Sequence, residues 1–108
     1  MTIAEIILWA AALFNLVIGA PSLLQPGATR DGRVVAVLVL AFGLLYAIAA
    51  SDPVRFAPVL LAGVLGKLGV IAVMAPGARR GELPRALGWV LAGDALFVAA
   101  FVWLLLRG

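Results

Sequence analysis

The sequence predicts an all-α fold, a bundle of four transmembrane helices, and three observations point to it. Of 108 residues, 66% are hydrophobic and 12% charged, whereas a soluble domain averages about 45–50% and about 25%. The apolar residues fall into four stretches separated by clusters of proline, glycine and charge. Each stretch meets the roughly 17–25 residues with which a helix crosses a hydrocarbon core of about 30 Å. None alternates with the period of two that a barrel strand needs, and a closed barrel takes about eight strands or more. Backbone groups in lipid must be satisfied within their own segment, which leaves helices.

The first helix is expected over residues 3–20, broken only by Glu5 and Asn15. A secretory signal would carry a positive n-region, but the early side-chain charge here is the acidic Glu5, so this stretch is read as a retained helix. The second, over residues 34–50, contains no charge. The third, over 58–75, contains Lys67, and the fourth, over 86–106, contains Asp94. Proline removes a backbone donor and restricts the residue before it. Pro21, Pro26, Gly27 and Gly32 are therefore expected to close the first connector, Asp52-Pro53 and Pro58 the second, and Pro76, Gly77, Gly81 and Pro84 the third. No connector is long enough to fold alone, so residues 1–108 are expected to form a single transmembrane domain.

Arginines orient the chain. Arg30, Arg33, Arg79, Arg80 and Arg85 lie in the first and third connectors, against Arg55 and Arg107 on the other side. The positive-inside rule then places connectors 21–33 and 76–85 in the cytoplasm and both termini outside, in a bacterial cytoplasmic membrane. An internal echo accompanies this pattern. A shift of 50 residues lays Pro26-Gly27-Ala28 on Pro76-Gly77-Ala78, Arg30 on Arg80, Gly43 on Gly93 and Gly19 on Gly69. The echo reads either as two parallel helical hairpins or as short cytoplasmic loops converging on proline, glycine and arginine.

Ionisable groups at bilayer depth cost about 2.5–3.5 kcal/mol each on insertion scales and normally find partners. Lys67 stands eight residues before the end of the third stretch, and Asp94 eight after the start of the fourth. Both therefore sit about 12 Å below the same membrane face, and an ion pair between antiparallel neighbours is the economical reading. Such a pair serves either as a lock on helix register or as a proton- or substrate-binding carboxylate with its counter-ion; in a third case one side chain snorkels and no pair forms. Asn15 is expected to hydrogen-bond between helices for about 1 kcal/mol. Tyr46, Trp9 and Trp103 read as an interfacial belt, with Trp89 at the cytoplasmic side. Glu5 lies close enough to the outer surface to be hydrated, and Asp52-Pro53 reads as a turn cap. Gly63, Gly66 and Gly69 recur every three residues of the third helix and read as a close packing surface, which points to a homo-oligomer or a partner membrane subunit. A ligand groove beside Lys67 is the other reading of these glycines.

Several chemistries are excluded. The chain has no Cys and no His, hence no thiolate nucleophile, iron–sulfur cluster, zinc–thiolate site, haem ligation or imidazole-based triad. No cofactor or metal is implied. The isoelectric point of about 10.7 is not a nucleic-acid signature, because the net charge is only +3 and the basic residues are scattered.

One set of elements spans almost the whole chain: Phe14-Asn15-Leu16 with Gly19, Phe42-Gly43 with Tyr46 and Asp52-Pro53, Gly63 through Gly66-Lys67, Gly81-Glu82-Leu83-Pro84 with Gly88-Trp89, and Asp94. On these the chain resembles an uncharacterised family of small bacterial four-helix integral membrane proteins, similar in size to the DoxX-type four-helix bundle. The resemblance implies that Asn15, Tyr46, Asp52, Lys67 and Asp94 belong to a family site. It carries no established activity. Where the family pattern has an Asn beside the helix-four Asp, this chain has Gly93, so a polar dyad does not carry over. The alkyl hydroperoxide reductase label of some members fails on chemistry, since a cysteine-free chain cannot perform it.

Three functions compete. The leading one is a non-enzymatic membrane protein, either a subunit of a larger complex or a binder of a lipid-soluble molecule. The second is a small proton-coupled transporter acting as a dimer, with Asp94 as its carboxylate. The third is a membrane-embedded enzyme on a hydrophobic substrate, with Asp94 or Glu5 as acid/base and Lys67 or Tyr46 as electrostatic stabiliser.

Overall fold

A computed structural model describes residues 1–107. It is all-helical, with α1 at Ile3–Leu24, α2 at Arg30–Ser51, α3 at Pro58–Arg79 and α4 at Arg85–Arg107. All four are long and apolar enough to cross a membrane, which marks an integral membrane protein. The chain divides into two compact units, Met1–Val59 and the remainder from Leu60.

The helices outrun the apolar stretches, which corrects several expected boundaries. α1 starts at a capping box: the Thr2 hydroxyl accepts from the Glu5 amide at 3.1 Å, and the Glu5 carboxylate accepts from the Thr2 amide at 3.3 Å. Two amides that the first turn leaves without helical partners are satisfied in this way. Pro21 does not end α1, which continues to Leu24. A proline removes one amide only, so a single helical bond is lost at Pro21, and in the next position the Ser22 hydroxyl adds a bond to the Ile18 carbonyl at 2.8 Å. The chain then reverses at Gly27, whose φ of 81° lies in the left-handed region open to glycine.

α2 begins four residues before the charge-free stretch. The Thr29 hydroxyl accepts from the Gly32 amide at 3.0 Å, so Gly32 lies inside the first turn rather than in the connector. α3 likewise runs past Pro76 and Gly77 to Arg79. Its terminator is Gly81 at φ 73°: the Glu82 amide donates to the Gly77 carbonyl at 2.9 Å, and the Gly81 amide to the Ala78 carbonyl at 3.1 Å. Together these satisfy two of the carbonyls that the helix end would otherwise leave open.

In the first unit, α1 and α2 pack through small residues. A Cβ on Gly43 would stand 3.1 Å from the Asn15 Cβ and 3.3 Å from the Ala12 carbonyl oxygen. One on Gly19 would stand 2.9 Å from the Leu40 Cγ. In lipid, helix association rests on packing and hydrogen bonds, and residues without bulk let backbones approach.

Candidate functional site

The four polar residues singled out within the apolar stretches divide between the units. In the first, the Asn15 side chain donates from Nδ2 to the Val39 carbonyl of α2 at 3.0 Å. Asn15 is buried and stands where Gly43 meets α1. Tyr46 is 1% exposed, with the Phe42 ring centroid 6.2 Å from its own. Its expected place in an interfacial belt is thereby corrected: the ring belongs to the interior. Trp9, Trp89 and Trp103 are exposed.

In the second unit the structure brings Lys67 and Asp94 together. The Lys67 Nζ donates to the Asp94 Oδ1 at 2.6 Å. The two side chains are only 7% and 11% exposed, so the pair lies away from the protein surface. The Phe97 ring, one turn after Asp94, has its centroid 5.5 Å from Lys67 Nζ. That is within the range at which the electron-rich face of an aromatic ring attracts a cation. Phe97 in turn lies 6.0 Å from fully buried Phe101. Among the described residues no buried side-chain nitrogen or oxygen lacks a hydrogen-bond partner.

What this arrangement does chemically follows from its charges. A lone carboxylate or ammonium in low dielectric carries a large solvation penalty, which mutual attraction repays only at close range and with further hydrogen bonds. At 2.6 Å each charge neutralises the other, and α3 is tied to α4 at one depth and rotation. Glu5, the third charged residue of the four apolar stretches, is engaged in the capping box of α1. Sequence reading overlooked that role although Thr2-x-x-Glu5 is its signature. Asp52 caps the end of α2, and its carboxylate accepts from the Arg55 amide at 3.3 Å.

The three glycines of α3 do not share one face. Three residues advance a helix by about 300°, so each step lags a full turn by about 60°. Gly63 is accordingly buried, Gly66 half-buried and Gly69 exposed, with nothing within 4 Å of a Cβ placed on Gly69. Compared with protein-family models, with curated proteins and with solved structures, the chain matches none.

Proposed function

We propose that this chain is a small non-enzymatic integral membrane protein that works by association, as a subunit of a larger membrane complex or as the binder of a lipid-soluble molecule. One observation carries this reading. Each charged side chain of the four apolar stretches already has an architectural partner: Glu5 with Thr2, and Lys67 with Asp94. A carboxylate engaged by an ammonium at 2.6 Å has its charge spoken for, which disfavours the transporter and the acid/base enzyme. Exposed Gly69 beside half-buried Gly66 offers α3 a surface for a second copy or a partner helix.

Native mass spectrometry of a detergent-free preparation tests this, because it reports stoichiometry and bound molecules together. A stoichiometric partner, second copy or lipid-soluble ligand is the expected result. Gly66→Leu should shift an oligomer toward monomer by overpacking a close contact. Substrate-dependent proton flux in proteoliposomes would replace this reading with the transporter.

The reading places both termini outside and the first and third connectors in the cytoplasm, from the arginine distribution. Single cysteines at Thr29 and Arg80 should then resist an impermeant thiol reagent in intact cells, whereas one at Asp52 should label. The reverse pattern would invert the topology.

A further inference from the structure

The first turn of α2 carries two arginines above an apolar stripe. Arg30, Arg33, Val34, Val37 and Leu38 fall at i, i+3, i+4, i+7 and i+8, which is one face of a helix. With Ala28 they line a groove of about 480 Å³. Val34, Val37 and Leu38 are 53%, 51% and 55% exposed, so the stripe is open along its length. At the end of a membrane-spanning helix, arginines reach headgroup level while the apolar residues below them meet hydrocarbon.

The charge in this groove is uncommitted. Among the described residues neither guanidinium pairs with a carboxylate, the ion pairs being Lys67–Asp94 and Arg80–Glu82. Asp31 stands between the two arginines in sequence and leaves the turn with a net positive charge. By contrast, Arg55 lies 5.4 Å from the Phe56 ring centroid, and Arg107 lies 4.7 Å from that of Trp103.

We propose that this groove binds an anionic glycerophospholipid of the bilayer, its phosphate against Arg30 and Arg33 and an acyl chain along Val34, Val37 and Leu38. Cation first and hydrocarbon beneath is the order of the lipid itself, and the planar fork of a guanidinium matches phosphate oxygens. A second copy fits less well. Identically oriented in the membrane, it would bring the same two arginines to the same depth, and like charges would face each other. The start of α4 repeats the arrangement in shorter form, with Arg85, Gly88, Trp89 and Ala92 lining a groove of about 390 Å³. Highly exposed Trp89 suits the interfacial level there. The inference is independent of the Lys67–Asp94 pair and holds whether or not the chain is a complex subunit.

The test uses the full chain in phosphatidylcholine micelles, titrated with phosphatidylglycerol and followed by native mass spectrometry. The readout is the preference for bound phosphatidylglycerol over phosphatidylcholine. Each arginine near an anionic membrane surface is worth roughly fivefold, so Arg30→Gln with Arg33→Gln should lower the preference about 25-fold. The charge-matched pair Arg55→Gln with Arg107→Gln should change it by less than about threefold, since those guanidinium groups already lie against the Phe56 and Trp103 rings. All four side chains are exposed, so folding is not at stake. As a check without mutation, phosphatidylglycerol should raise the thermal midpoint of the unaltered protein, and soluble glycerol phosphate should not displace the lipid. The proposal falls if the Arg30/Arg33 variant keeps its preference, or if the charge-matched variant loses as much, which would reduce the effect to net charge. It falls equally if phosphatidylglycerol does not stabilise the protein or glycerol phosphate displaces it. A variant that only dissolves a lipid-free oligomer would give the groove to a second copy instead.

Discussion

Lys67→Met is expected to destabilise the protein by about 3–5 kcal/mol, and Asp94→Leu by a similar amount, because each leaves one charge buried without compensation. The warrant is the 2.6 Å contact between side chains only 7% and 11% exposed. A surface ion pair at the same distance, such as Arg80–Glu82, with side chains 64% and 56% exposed, would contribute at most about 1 kcal/mol. Replacing both partners together should recover most of the loss, since two apolar side chains need no partner in lipid. Reversible unfolding in micelles, analysed as a double-mutant cycle, measures the coupling directly. Losses that simply add would defeat the pair as a structural unit. The double variant also separates the two roles that spacing left open. An architectural pair predicts that partner or ligand binding survives the double replacement, whereas a working carboxylate predicts a stable protein that has lost it.

Gly43→Leu is expected to cost about 1–3 kcal/mol through overpacking. The obstacle is partly backbone: a Cβ there meets the Ala12 carbonyl oxygen at 3.3 Å as well as the Asn15 Cβ at 3.1 Å. Relief requires α1 and α2 to separate, and separation would stretch the 3.0 Å bond from Asn15 to the Val39 carbonyl. Gly69→Leu is the matched control. Nothing lies within 4 Å of its Cβ, and a leucine in place of glycine favours the helix by up to about 1 kcal/mol, so the monomer should be unharmed or slightly stabilised. Thermal midpoints in dilute micelles compare the two. Equal losses at both positions would mean that the close approach at Gly43 has no special role.

Hydropathy marked the four helices well because the bilayer selects for it along each whole span. It marked their ends less well. Apolar composition reports where hydrocarbon begins, whereas a helix ends where its last amides and carbonyls find other partners. Those partners are Thr2 and Thr29 at two starts and Gly81 at one end, all outside the apolar stretches, so α2 begins before its stretch and α3 ends after its own. Pro21 and Pro76 misled for a related reason, while the other four prolines stand at helix boundaries or in connectors. Each deletes one donor, and Pro76 still accepts through its carbonyl from the Arg80 amide at 3.1 Å.

Around the helix axis the sequence is nearly silent. In a soluble helix a polar stripe points to water and the rest turns inward, but here lipid makes every face apolar. Tyr46 illustrates the consequence: its residue type suited an interfacial belt, and its 1% exposure depends on which way α2 is rotated. The α3 glycines illustrate it again, one buried and one open although evenly spaced.

By itself, then, the sequence determined that this is a membrane protein of four helices, that thiol and imidazole chemistry are absent from it, and that Lys67 and Asp94 lie at matched depth. Depth can be counted along a chain at about 1.5 Å per residue, and residue types set the available chemistry. Only tertiary structure decided that the ammonium and the carboxylate meet at 2.6 Å, that Asn15 reaches the Val39 carbonyl, and that Arg30 and Arg33 head an open apolar groove. Those facts depend on how each helix is turned about its axis and on which residues its neighbour brings, and an apolar solvent on every side leaves no periodic trace of either in the sequence.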